Sequence, residues 1–200
     1  MNQVFDSPWA SLGVGLVAAA AVLAIWLAGA GGDALGVISF LVRYLHVLSA
    51  AVWIGLIAFV NFIQLAALLT ADDQGRETLN RLLVPALLPW LRHASTATVV
   101  AGAVLLATTG YVFPTLVYGS GVYMPAAREA LLWTAVVGAL AMWMFVHMYM
   151  APSLEVIVGL RAGDAEAKAR ARRRIGRLAR VNLMLAAPVL LAMLAAAHLY

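Results

Sequence analysis

Five membrane-spanning helices, packed as one all-α transmembrane domain over residues 1–200, are what this sequence predicts. Three observations lead there. Hydrophobic residues make up 64% of the 200-residue chain and charged residues only 11%, against about 25% charged in a soluble domain. A water-soluble globule of that composition could not cover its surface. The apolar residues also fall into long continuous runs, each near or above the ~20 residues that cross a bilayer as a helix. Finally, the runs lack the alternation over about ten residues that marks a membrane barrel, and only helices and closed barrels satisfy their backbones in lipid. Cysteine is absent, which excludes disulfides, thiolate–metal sites and a covalently attached c-type haem.

The first run spans about Trp9–Ala30. The stretch before it, Met1–Pro8, has no Lys or Arg and contains Asp6. It lacks the basic start of a signal peptide, and the run is too long for a signal core, so it reads as a retained helix. Gly31, Gly32 and Asp33 break the chain before a second run, about Leu35–Leu69. Asp72, Asp73, Gln74 and Gly75 form the next break, a solvated turn, and the third run follows at about Val84–Val112. Pro114, Gly119, Gly121 and Pro125 precede the fourth, about Ala130–Leu160. A basic loop then leads to the fifth, about Leu178–Leu199. The second and fourth runs exceed what a bilayer needs and should tilt or project. Pro89, Pro152 and Pro188 lie inside runs, where each removes a backbone donor and invites a kink.

Charge is concentrated. Residues 161–180 hold eight Lys and Arg with two carboxylates, a net of six positive charges, so the rest of a chain of net charge +4 is net negative. Beside an apolar span this reads as an orientation signal and a contact for anionic lipid rather than a nucleic-acid site. The positive-inside rule puts the stretch in the cytoplasm, with Arg76 and Arg81 on the same side. Five spans then give a cytoplasmic N-terminus and a periplasmic C-terminus, in a bacterial inner membrane. The outer loops carry little positive charge besides Arg128.

All four histidines fall inside runs: His46, His93, His147 and His198, one on each of the last four. Any one alone reads most simply as a hydrogen-bonded packing residue. Four on four helices point to a cofactor, because ionisable groups inside a membrane are costly and rare. Counting depth from the charged residues sorts them. His46 follows Arg43 at the outer boundary, and His198 is roughly 27 Å above Arg180 at 1.5 Å per residue. His93 sits near the inner start of its helix with Arg92, and His147 about 12 Å short of Glu155. The expectation is an outer pair, His46 with His198, and an inner pair, His93 with His147. Facing imidazoles suit a six-coordinate b-type haem, so one or two haems are expected, with Arg43 and Arg92 at the propionates.

The second run carries a polar stripe. At about 100° per residue Trp53 and Gln64 fall under His46, with Arg43 and Asn61 nearby, and Ser49, Ala50 and Gly55 leave room for a flat cofactor or a close helix. In the fourth run Met144, His147 and Met148 share a face. Methionine there usually packs, but thioether with imidazole also suits Cu(I), which makes copper handling a rival. No phosphate loop, His-Glu-x-x-His or Gly-x-Ser-x-Gly occurs. Asn182 just inside the fifth run is placed to cap or bond a neighbour.

Three stretches carry a family resemblance. Arg43-Tyr-Leu-His46 through Trp53-Ile-Gly55 to Asn61-Phe-Ile-Gln64, then His147 through Pro152 to Gly159, then Arg180-Val-Asn182 through Pro188 to His198, resemble the membrane domain of bacterial membrane-bound urate oxidases. The first stretch alone is also similar to the copper-resistance CopD proteins and the HemJ-type protoporphyrinogen oxidases. The resemblance covers about residues 36–199 and implies a haem-bearing membrane oxidoreductase that passes electrons from a small reductant such as urate to a cytochrome c. The chain departs from that family in lacking its fused cytochrome c domain. The expected function is thus transmembrane electron transfer by b-type haem, with a cytochrome c or quinone as partner, inside a membrane complex or homo-oligomer. The alternatives are copper transport or homeostasis, and a structural subunit without cofactor.

Overall fold

The computed structural model describes residues 6–30 and 34–199. The expected break at residues 31–33 and the terminal Tyr200 lie outside the described residues. Every regular element within them is helical. There are five long helices: α1, Pro8–Ala30; α2, Ala34–Thr70; α3, Asp73–Thr108; α4, Ala126–Ile157; and α5, Ala165–His198. All five are long and apolar enough to cross a membrane.

The helix ends differ from those expected, because polar residues need not end a helix. The break before α3 shrinks to Ala71 and Asp72: the Asp72 carboxylate accepts the Gly75 N–H at 2.8 Å and starts α3 eleven residues before its apolar part. α3 then stops at Thr108, short of the apolar Val112, as Gly110 takes φ +76°. α4 begins after Pro125 and ends before Gly159, at φ +81°. The largest correction concerns the basic loop, since residues 165–180 are the first turns of α5. Asp164 caps them by accepting the Ala167 N–H at 2.7 Å, and Ala, Arg and Lys are strong helix formers that need no apolar environment. With 34 residues, α5 is about 51 Å long, well beyond a hydrocarbon core of about 30 Å. Its cationic first half therefore stands outside the part that can be embedded.

The chain forms two compact units, residues 1–40 and 41–200. In the first, no described side chain of α1 is buried, and Trp26 lies against Phe40 with ring centroids 5.9 Å apart. The second holds the core, in which Trp53, Ile57, Leu91, Met142, Val146, Met150, Ile175 and Val189 pack together. α5 contributes a stripe of small residues, Ala171, Ala179, Ala186, Ala192 and Ala196, all buried. Such stripes let backbones approach in a membrane bundle. At the α4–α5 contact Gly138 is so close that a Cβ there would meet Val189 Cγ2 at 2.5 Å.

Two helices contain a turn of π-helix, Val60–Gln64 in α2 and Phe145–Met150 in α4. Each has an identifiable cause. In α2 the Asn61 amide donates to the Ile57 carbonyl at 2.9 Å and to the Ala179 carbonyl of α5 at 3.0 Å, competing with the backbone for the earlier turn. In α4 Pro152 supplies no N–H and crowds the carbonyls before it, which a widened turn relieves. The first bulge also breaks the 100° count: with an extra residue in the turn, Gln64 no longer projects directly under His46.

Candidate functional site

The residues around His46 come from α2 and α3. His46 Nδ1 lies 2.8 Å from the Thr98 carbonyl. A carbonyl only accepts, so Nδ1 carries the proton and Nε2 is left with its lone pair. Nε2 has no hydrogen bond among the described residues. The ring fits against α3 because residue 102 is glycine: a Cβ there would stand 3.0 Å from His46 Cε1 and 3.3 Å from Nδ1. One turn earlier on α3 the Thr98 hydroxyl lies 3.2 Å from the Ser49 hydroxyl and 2.8 Å from the Ala94 carbonyl. Buried Trp53, 2% exposed, has no partner for its indole N–H among the described residues.

His147 is placed differently. Its Nδ1 donates to the Trp143 carbonyl at 3.0 Å. Nε2 sits 3.1 Å from the Thr96 hydroxyl, which itself receives the Trp143 indole N–H at 3.2 Å. The three bonds form one consistent chain, from indole to hydroxyl to imidazole, and the imidazole stacks on Trp143 at 4.5 Å. Both nitrogens of His147 are therefore already used. His46 and His147 meet α3 at Thr98 and Thr96, two residues or about 3 Å apart along the helix. Depth counted from the sequence places these two histidines in opposite leaflets, which this closeness contradicts. The count takes Arg43 and Glu155 as boundary markers, whereas both lie within helices that continue past them.

The other expected residues are not drawn into this cluster. His93, His198 and Arg43 are exposed. Arg92 pairs with Glu155 at 3.5 Å, and the same carboxylate takes Arg161 at 3.2 Å. Met148, of the expected Met144–His147–Met148 face, is 59% exposed, while Met142 and Met150 are core residues. The described residues contain no group of three His, Asp or Glu arranged for a metal ion. Asn182, 1% exposed, points its amide nitrogen toward Met150 Sδ at 3.8 Å, and its Oδ1 has no partner among the described residues.

Two features had no advance signal. A cleft of about 1090 Å³ opens among the second half of α2, the first half of α3, the end of α4 and the start of α5. Gln64 lines it, and none of the four histidines does. At the other end of the bundle Glu129 is wholly buried in the first turn of α4. It accepts the Ser120 hydroxyl at 2.8 Å, the Gly121 N–H at 2.7 Å and the Tyr123 N–H at 3.0 Å. Beside it Arg128 donates to the Ala196 carbonyl at 3.0 Å and to the Tyr111 hydroxyl at 2.9 Å.

Comparison with protein-family models, with characterised proteins and with solved structures finds no match. The class the fold defines is an all-helical chain with five helices able to cross a membrane, compatible with a multi-pass membrane protein.

Proposed function

We propose that this chain is an integral membrane protein that binds b-type haem through His46 and carries electrons within or across a bacterial inner membrane, as the resemblance to the membrane domain of urate oxidases implies. The observation that carries the reading is the state of His46. Its Nδ1–H is fixed by the Thr98 carbonyl, its Nε2 is free, and Gly102 leaves the ring its place. A histidine that ligates a metal almost always donates its other N–H to a carbonyl or carboxylate in this way, which orients the ring and raises its basicity. His147 lacks that freedom, with both nitrogens bonded. His93 and His198, on exposed faces, would serve only a haem held against the outside of the bundle.

Haem, when bound, supplies the one-electron couple. The protein's part is to hold the His46 ring, to keep Trp53 and the apolar core around it dry, and to meet a propionate with Arg43. The donor is a small reductant and the acceptor a cytochrome c or a quinone. The test is the visible spectrum of protein purified from haem-sufficient cells, oxidised and then reduced. A haem b band that His46→Ala removes is expected. A colourless preparation, or an undiminished band in His46→Ala, would falsify the proposal.

A further inference from the structure

The cleft at the basic end has two kinds of surface. Its interior walls are apolar, with Leu65 from α2, Leu88 from α3, Leu154 from α4 and Ile175 from α5. Its rim is cationic. Arg81 from α3 and Lys168 and Arg172 from α5 all line it. None of these three has an ion-pair partner among the described residues, where the pairs formed are Arg76–Asp73, Arg92–Glu155, Arg161–Glu155 and Arg170–Glu166. A fourth rim cation, Arg76, is already engaged by Asp73 at 3.3 Å and by the Leu68 carbonyl at 3.0 Å. Glu77 is the one carboxylate on the wall outside an ion pair. Two positive charges are left over at the mouth of an apolar space.

We infer that this cleft is a site for one anionic phospholipid, its acyl chains against the leucine walls and its phosphate at Arg81, Lys168 and Arg172. The match is of two parts. A neutral lipid fills the walls and leaves the cations unanswered; inorganic phosphate answers the cations and leaves the walls wet. Basic pockets between membrane helices on the positively charged side select anionic headgroups for this reason. Arginine adds paired donors that fit phosphate oxygens. Gln64, buried on the same wall, adds an amide to the polar groups of the cleft. The inference rests on the membrane reading and is independent of haem, because no histidine lines the cleft.

The experiment is native mass spectrometry of the full chain in mild detergent, exposed in parallel to phosphatidylglycerol, to phosphatidylcholine with the same chains, and to inorganic phosphate. One phosphatidylglycerol should be retained, and phosphatidylcholine and phosphate should not. Each of Arg81→Gln, Lys168→Gln and Arg172→Gln should weaken retention about fivefold, at roughly 1 kcal/mol per charge, and the triple variant should abolish it. Leu68→Trp, which crowds the apolar wall with the cations intact, should weaken it as well. Circular dichroism checks that each variant keeps its helix content. Equal retention of phosphatidylcholine, full retention by the triple variant, or retention of phosphate alone overturns the inference. A colourless protein that still retains the lipid would refute the haem reading and leave this one standing.

Discussion

His46 and His147 approach the same stretch of α3, and their surroundings set them to different tasks. One carbonyl holds His46 and leaves a nitrogen for a ligand; a carbonyl and a hydroxyl hold His147 and leave none. Their alanine variants should therefore part company. His46→Ala should remove the haem band and, with both proteins compared free of haem, change unfolding little. His147→Ala should keep the band and lower stability by about 1–3 kcal/mol, because it strands the Thr96 hydroxyl in a partly buried site. Spectra and thermal unfolding of the two proteins decide it, and equal bleaching by both changes would sink the assignment. The histidines stood out in the sequence because an imidazole in an apolar run is rare. Their partners did not. The carbonyl of Thr98 and the missing Cβ of Gly102 act through the backbone, which a side-chain pattern does not display. The run Ser95-Thr96-Ala97-Thr98 was the available clue, three hydroxyls in four residues of an otherwise apolar helix.

At the scale of single helices, the contact between α4 and α5 depends on Gly138. Gly138→Ala should cost about 1–3 kcal/mol through overpacking against Val189, whereas Gly13→Ala in α1, with nothing within 4 Å of its added Cβ, should be neutral or slightly stabilising. Val189→Ala should cost less in the Gly138→Ala background than in wild type, since it removes the clash and the next nearest atom, Val189 Cβ, is 3.9 Å away. Unfolding of the double-mutant cycle in detergent measures this, and additive losses would count against the contact. Helix existence was legible from apolar run length. Helix ends were not, because Asp72 and Asp164 start α3 and α5 within polar sequence that hydropathy reads as loop. The π turns were also hidden: Asn61 creates one by bonding across to α5, a tertiary contact that no local pattern announces.

For the molecule as a whole, the charge asymmetry gives the strongest statement about placement. The cationic half of α5 and the start of α3, with Arg76 and Arg81, lie at the same end, since both helices line the one cleft there. If that end faces the cytoplasm, as the positive-inside rule expects, a phosphatase reporter fused after Leu199 should be active in the periplasm, and one inserted at Gly163 inactive. The reverse pattern would turn the protein over and exchange the sides of every site described. The five-helix architecture was readable because bilayer thickness sets a single length scale. The cleft was not, because it arises where four helices fail to meet, and its walls are ordinary leucines.

The segment 119–123 joins two properties usually found apart. Its side chains are largely at the surface: Ser120, Gly121, Val122 and Tyr123 are all exposed. Yet two of its amides end on the buried carboxylate of Glu129. Solvent contact and hydrogen bonding are thus decoupled there, and the difference should appear in time rather than in position. In hydrogen–deuterium exchange the amides of Gly121 and Tyr123 should persist far longer than that of Val122, whose N–H reaches only the Ser120 hydroxyl at 3.2 Å. Glu129→Gln should shorten their lifetimes at least about tenfold, as bonds to a charged acceptor are replaced by weaker ones. Unaltered lifetimes would mean that the carboxylate only occupies space. Slow exchange in wild type would make this turn a clock set by one side chain, at the end of the bundle farthest from the cationic cleft.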